Sequence, residues 1–246
     1  MATSVEGKIL EVRLEDGESV YLSGKISCPA RLCPAPGQYL LASRLPAGQE
    51  NPAEELDILP AVLFAADYFQ GGFKTGASLP HTWNPGDRLA LRGPLGRGFR
   101  LKENARHVAL AALGGSAHRL MPLLRSALAR QADVLLFAEQ VPLGLPLAVE
   151  VAPLEQLRES LAWADALAID LPRTLLAGLP ERLGLEPGQQ PPCPVELLVS
   201  TPMPCAGQAE CGVCAVAARR EAVSGPGRWL LACKDGPVFE WKDLLV

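Results

Sequence analysis

The chain has 246 residues, of which 23 are basic and 27 acidic, giving a formal net charge of −4 with the histidines neutral; that balance argues against a nucleic-acid-binding surface. Apolar residues make up 48% and charged residues 20%, enough for a packed core and too few like charges for a disordered chain. No apolar run approaches the roughly 20 residues of a membrane helix, and Met1–Lys8 lacks the basic and apolar blocks of a secretory signal, so a cytoplasmic protein without membrane insertion is expected.

The first hundred residues read as short strands. Lys8–Leu14 alternates apolar and polar side chains with period two, and Val20–Ile26 does so more loosely. Pro36-Gly37 reads as a turn leading into the strand Gln38–Ala42. Asn84-Pro85-Gly86-Asp87 is a turn before the strand Arg88–Gly93. Strands at this spacing predict a small β-barrel. From about residue 105 the period changes. His107–Leu113 is a continuous apolar run ending at Gly114-Gly115, followed by a predicted helix over Leu120–Arg130 and a second apolar run, Val134–Ala138. Strand, glycine turn, helix and strand make the unit of a parallel sheet. Ala166–Asp170 and Val195–Val199 read as further strands, Pro172–Leu183 as a helix between them, and Gln189–Pro192 as a loop.

Seven cysteines are present, and Cys205, Cys211, Cys214 and Cys233 fall within the last 42 residues at spacing C-x5-C-x2-C-x18-C. An odd total in such a chain does not read as a disulfide framework. Clustered thiolates repel unless a cation lies between them, which points to a metal site. A zinc ribbon shows two C-x2-C pairs, and only Cys211/Cys214 forms one. Plant-type [2Fe-2S] proteins use C-x4-C-x2-C with a distant fourth cysteine, one residue shorter in the first gap. Zinc and unligated structural thiols remain the alternatives. Cys28, Cys33 and Cys193 have no partner at ligand spacing. The three histidines, His81, His107 and His118, are not arranged for a hydrolytic triad, and His107, opening an apolar strand, reads as structural. Glu54-Glu55 reads as a solvated loop, and Trp229, Phe239 and Trp241, which flank the cysteine segment, as core.

Pro36-Gly37-Gln38-Tyr39, Pro85-Gly86-Asp87-Arg88-Leu89, Gly93-Pro94-Leu95-Gly96-Arg97-Gly98-Phe99 and Cys233-Lys234-Asp235-Gly236-Pro237-Val238-Phe239 together resemble the electron-transfer subunit of dihydroorotate dehydrogenase, within the ferredoxin-reductase-like superfamily. The resemblance spans nearly the whole chain. It implies a β-barrel domain over 1–102, a parallel α/β domain over 103–200 and a cysteine-rich iron–sulfur segment over 201–246. It also implies FAD on the barrel, NADH on the α/β domain, and a [2Fe-2S] cluster on Cys205, Cys211, Cys214 and Cys233. The implied partner is the catalytic subunit of a dihydroorotate dehydrogenase-like enzyme of pyrimidine biosynthesis, or of another oxidoreductase.

Two motifs depart from that family. Its flavin motif, Arg-x-Tyr/Ile-Ser, corresponds to Leu59-Pro60-Ala61-Val62-Leu63, without cation or hydroxyl; a buried diphosphate needs charged or multiple donors. Gly76 stands where a family glycine lies beside the FAD diphosphate, with Lys74 the nearest cation, and a solvated turn is the alternative for both. The nucleotide turn is Gly114-Gly115-Ser116-Ala117-His118-Arg119, where the family has Gly-Gly-Gly-Ile-Gly, and Arg119 reads as a solvated residue at a helix start, with a phosphate contact as the alternative. A Cys-Gly-Pro motif of the family is replaced by Ile169-Asp170-Leu171-Pro172. Three readings follow: a complete NADH–FAD–cluster subunit, a cluster relay or scaffold without the dinucleotides, and a zinc-bound structural subunit.

Overall fold

The computed structural model describes residues 4–15, 21–46, 59–76, 79–142, 144–186, 188–219 and 229–246. Val20 of the second predicted strand and the pair Glu54-Glu55 lie outside them. Six strands, β1 (Val5–Glu15), β2 (Tyr21–Ser27), β3 (Tyr39–Arg44), β4 (Ala61–Phe69), β5 (Gly72–Thr75) and β6 (Arg88–Leu95), close into an antiparallel barrel of order β1-β2-β5-β4-β3-β6. Alternate side chains point inward, as a pleated strand requires, so Ile9, Ile26, Leu40, Leu63, Phe73, Leu89 and Leu91 fill the interior with Trp83.

The predicted parallel unit follows as β7 (His107–Ser116), α1 (Met121–Ala129) and β8 (Asp133–Gln140). Then come β9 (Val149–Ala152), α2 (Leu157–Ser160), β10 (Ala166–Pro172), α3 (Leu179–Arg182) and β11 (Val195–Ser200). Strands β12 (Ala215–Ala217) and β13 (Trp229–Leu231) form a two-stranded ribbon, and β14 (Val238–Glu240) joins the large sheet. That sheet has the order β14-β11-β10-β7-β8-β9, parallel throughout except for β14, which runs antiparallel to β11. Both faces are covered. Val108, Leu110 and Ala112 pack with α1, while Ala109, Ala111 and Leu113 belong to the core on the other face, which is why β7 reads as an unbroken apolar run.

Two expectations are corrected. The stretch Pro172–Leu183 is not one helix: β10 runs to Pro172, a 3-10 turn covers Arg173–Leu175, and α3 spans only Leu179–Arg182. Pro180 sits in the first turn of α3, where proline starts a helix and cannot continue one. Strand β7 also does not stop at Gly114-Gly115 but continues to Ser116 through an irregularity between Ala112 and Ser116. No helix among the described residues is long and apolar enough to cross a membrane.

The motifs at 36–39, 93–99 and 233–239 meet at one joint. Arg97 N–H donates to the Gly236 carbonyl (2.5 Å), and the Arg97 side chain pairs with Glu240 and Asp243. Phe99 N–H donates to Pro36 O (2.9 Å). At Gly37, with φ +84°, a Cβ would lie 2.6 Å from Val238 Cγ2 and 2.9 Å from Phe99 Cδ2. Gly37→Ala adds left-handed strain of roughly 1–2 kcal/mol to overpacking of roughly 1–3 kcal/mol. A loss of about 2–5 kcal/mol, seen as a melting temperature lower by about 4–20 °C in calorimetry, is the expected outcome.

Candidate metal centre and interdomain crevice

The loop between β11 and β12 carries three of the four candidate ligands. Within it Ala206, Gly207, Ala209 and Gly212 have φ of +52°, +68°, +64° and +69°. Left-handed residues in succession turn backbone N–H groups toward one side and make an anion-binding concavity; two of the four carry a Cβ and hold that conformation at a steric cost. The amides of Gln208, Glu210 and Cys211 and the Cys211 side chain hydrogen-bond to the Cys205 sulfur, bringing its thiol down to about 6. The Ala209 amide reaches Cys233.

Cys233 follows the ribbon and comes from the other segment. Its sulfur lies 3.3 Å from that of Cys214, and both are buried. Burial, with Cys214 alongside, pushes the Cys233 thiol up to about 12. The sulfurs thus meet as two pairs, Cys205/Cys211 and Cys214/Cys233. No group of three or more His, Cys, Asp or Glu side chains among the described residues converges as a single-ion site requires.

The chemistry of this donor set fits a binuclear cluster: soft sulfur ligands in two pairs, with amide donors aimed at the sulfurs. Cys211 is exposed and Cys214 and Cys233 are buried, so one edge of the centre faces outward. Arg173 holds the loop down by donating to the carbonyls of Val213 (2.7 Å) and Ala215 (3.0 Å). From the barrel side, Tyr39 Oη donates to the Cys233 carbonyl (2.9 Å). Tyr39 is fully buried, and burial together with the sulfurs of Cys233, Cys214 and Cys205 raises its phenol well above the ordinary value, against the pull of Arg92. Of the three aromatic residues read as core, Phe239 and Trp241 are buried, whereas Trp229 on the ribbon is 62% exposed. Val216 of the same ribbon is buried in the core, whereas Trp229 faces outward.

The crevice between barrel and sheet is built differently from the sequence expectation. In open α/β sheets, ligands sit outside the carboxyl ends of the strands. There, Arg119 from the turn after β7 meets Asp170 near the end of β10 in a bidentate pair, Nε–Oδ2 2.8 Å and Nη2–Oδ1 2.6 Å. Asp170 is 2% exposed, and burial pushes its carboxyl up while Arg119 pulls it down. The guanidinium also lies over the Phe64 ring of β4, 5.5 Å from its centroid. Arg119 is therefore an interior residue rather than a solvated helix start, and the two departures from the family pattern are partners in one contact.

Among the described residues, several neighbouring groups named for a diphosphate already have partners. Arg125 is committed to Asp67 and the Ala66 carbonyl. The Gly76 amide donates to the Phe64 carbonyl (2.7 Å). At Gly114 the space a Cβ would take is bounded by Leu175 (3.3 Å) and Pro172 (3.4 Å), so the turn after β10 sits against the glycine turn. A 3-10 turn, Ala117–Leu120, precedes α1.

Cys28 and Cys33 lie outside this region, with sulfurs 3.9 Å apart. His107 faces Asp133 and Asp165 and packs on Trp163, consistent with its structural reading.

No protein-family model matches the sequence, and no curated protein does. Solved structures do match in fold. One is an NADH-dependent reduced ferredoxin–NADP oxidoreductase described for flavin-based electron bifurcation: it is 17% identical, with 99% of this chain and 91% of that one covered and a TM-score of 0.70. Another is the H286L mutant of ferredoxin-NADP+ reductase from Plasmodium falciparum, 11% identical over 80% of this chain and 96% of that one, with a TM-score of 0.58. The chain has the ferredoxin-reductase fold. Within that fold the joint of the three long motifs ties barrel, sheet and cysteine segment together, whereas the crevice holds an internal ion pair.

Proposed function

We propose that the chain is the one-electron carrier of an oxidoreductase complex, holding a [2Fe-2S] cluster on Cys205, Cys211, Cys214 and Cys233. The observation that carries this reading is the arrangement of the four sulfurs as two pairs, Cys205/Cys211 and Cys214/Cys233, with backbone amides donating to Cys205 and Cys233. Tetrahedral zinc gathers four ligands about one point, whereas a binuclear cluster spreads them over two irons. Such a centre supplies single-electron exchange, and the chain's own residues contribute placement, exclusion of water from Cys214 and Cys233, and an outward edge at Cys211 for contact with a redox protein.

The buried Arg119–Asp170 pair favours the relay reading over the complete NADH–FAD–cluster subunit: electrons arrive by protein contact. The partner is the catalytic subunit of a dihydroorotate dehydrogenase-like enzyme, which would place the chain in pyrimidine biosynthesis in the cytoplasm. That assignment rests on the four sequence motifs quoted above. The division into 1–102, 103–200 and 201–246 belongs to the same proposal, with the last segment lending β14 to the sheet.

The test is anaerobic purification followed by a visible spectrum and assays of iron, sulfide, zinc and flavin. About two irons and two sulfides per chain with no flavin is the expected result. Stoichiometric FAD beside the cluster would restore the NADH-linked subunit and overturn the relay. Zinc without sulfide would overturn electron transfer.

A further inference from the structure

We infer that Arg92, a barrel residue, is the positioning residue that holds the loop of the cysteine centre and biases that centre toward its reduced state. The inference rests on the iron–sulfur reading above. Arg92 lies on β6, paired in register with Leu41 of β3. Its Nη2 donates to the carbonyl of Ala206, the residue after Cys205. A Cβ built on Gly207 would lie 3.5 Å from the same nitrogen and 3.2 Å from Tyr39 Oη, so guanidinium and phenol both press on the loop backbone and need glycine there. Arg92 is partly buried, and no ion pair to it occurs among the described residues, although the partly buried Arg97, just beyond the same strand, faces two carboxylates. Its charge is also felt by the Tyr39 phenol, which the sulfurs of Cys233, Cys214 and Cys205 act on with the opposite sign. Among the described residues, a cation without a carboxylate partner therefore stands on the barrel wall, one residue from Cys205 through its contact with Ala206.

A centre held by four thiolates is an anion, and accepting an electron makes it more negative. A fixed cation nearby stabilises the more negative state more strongly. At an effective dielectric of about 20 and a separation of about 12 Å, removing one such charge changes an equilibrium by about tenfold. The hydrogen bond to Ala206 acts separately: it fixes the loop and with it the distance from the charge to the sulfurs. On this view the barrel serves as a wall and a fixed charge for the cysteine centre, a role that none of its sequence motifs discloses.

The experiment is an anaerobic redox titration of the intact chain against one-electron mediators, followed by visible and paramagnetic resonance spectra. It compares the wild type with Arg92→Lys and Arg92→Met and measures iron and sulfide for each. Arg92→Met should shift the equilibrium about tenfold toward the oxidised form, equivalent to about 59 mV for one electron, and Arg92→Lys, which keeps the charge, should stay within about twofold of wild type. Should Arg92→Met lose the centre, Arg92→Gln carries the test, because it can still donate to the Ala206 carbonyl without a charge. Titrations superimposable on wild type for the neutral variants, with the cluster intact, overturn the inference. So does an equal shift in Arg92→Lys. Absence of iron and sulfide from the wild type would instead overturn the iron–sulfur reading on which it rests.

Discussion

Replacing Asp170 by alanine is expected to lower the melting temperature of the intact chain by about 6–20 °C. Arg119 is 21% exposed and Asp170 2% exposed, and the carboxylate takes both of the guanidinium hydrogen bonds. Removing one member of a buried pair leaves the other desolvated and unpaired, at a cost of about 3–5 kcal/mol; in a chain of this size each kcal/mol moves the midpoint by about 2–4 °C. Arg119→Ala should cost a similar amount. The paired replacement Arg119→Met with Asp170→Leu should recover most of the loss, since apolar groups of similar volume commonly match or exceed a buried ion pair. Differential scanning calorimetry on the four proteins compares the single losses with the paired replacement. A single substitution costing less than about 1 kcal/mol, the value of an exposed pair, would show that the contact is solvated. Flavin and NADH titrations of the paired variant add a functional reading: loss of the charges alone should not create dinucleotide binding, because Gly76, Arg125 and Gly114 remain committed elsewhere.

The second large effect concerns the cysteine centre. Cys233→Ser should reduce iron from about two per chain to less than about a tenth of that and abolish the visible absorption, because a two-iron cluster needs four ligands and a serine hydroxyl is a poor, hard substitute for thiolate. Cys214→Ser should behave alike, since the two sulfurs are 3.3 Å apart and equally enclosed. Serine at Cys28, Cys33 or Cys193 should leave iron unchanged. Iron retained at wild-type level in Cys233→Ser would remove that residue from the ligand set.

The barrel strands β1 and β2 are legible through their period of two, β3 and β6 through the turns at Pro36-Gly37 and Asn84–Asp87 that precede them, and the parallel unit β7-α1-β8 through apolar runs buried on both faces. Strand β4 is not legible in that way. Leu63, Phe64, Ala65 and Ala66 are all buried, inside the barrel and against the sheet domain in turn, so alternation is erased. Its opening residues instead draw attention as a lost flavin motif. The helix expected after β10 fails because amphipathic spacing ignores what Gly178 and Pro180 do to a backbone. Trp229 misleads for a similar reason: a tryptophan reads as core, and nothing local shows that it takes the outward side of the β12-β13 ribbon. At the site, cysteine spacing identifies the four sulfurs, and the left-handed loop around them has Gly207 and Gly212 as its only visible sign. Arg119 and Asp170 each look like a defect in sequence. Their pairing, across 51 residues, is a fact of topology that no local pattern carries. Arg92 is invisible for the same reason, being one polar residue of an ordinary strand.

The segment that carries Cys233 also supplies β14, the antiparallel neighbour of β11. During synthesis the barrel can close once β6 has emerged, and the parallel strands can align behind it. The outer flank of β11 stays bare until Val238–Glu240 arrives, and an unpaired strand flank is a template for aggregation. Any condition that loosens the closing segment would bare that flank again. On the proposed iron–sulfur reading, shortage of iron or sulfide is one such condition, and the chain would then become a burden on chaperones and proteases as well as a lost carrier.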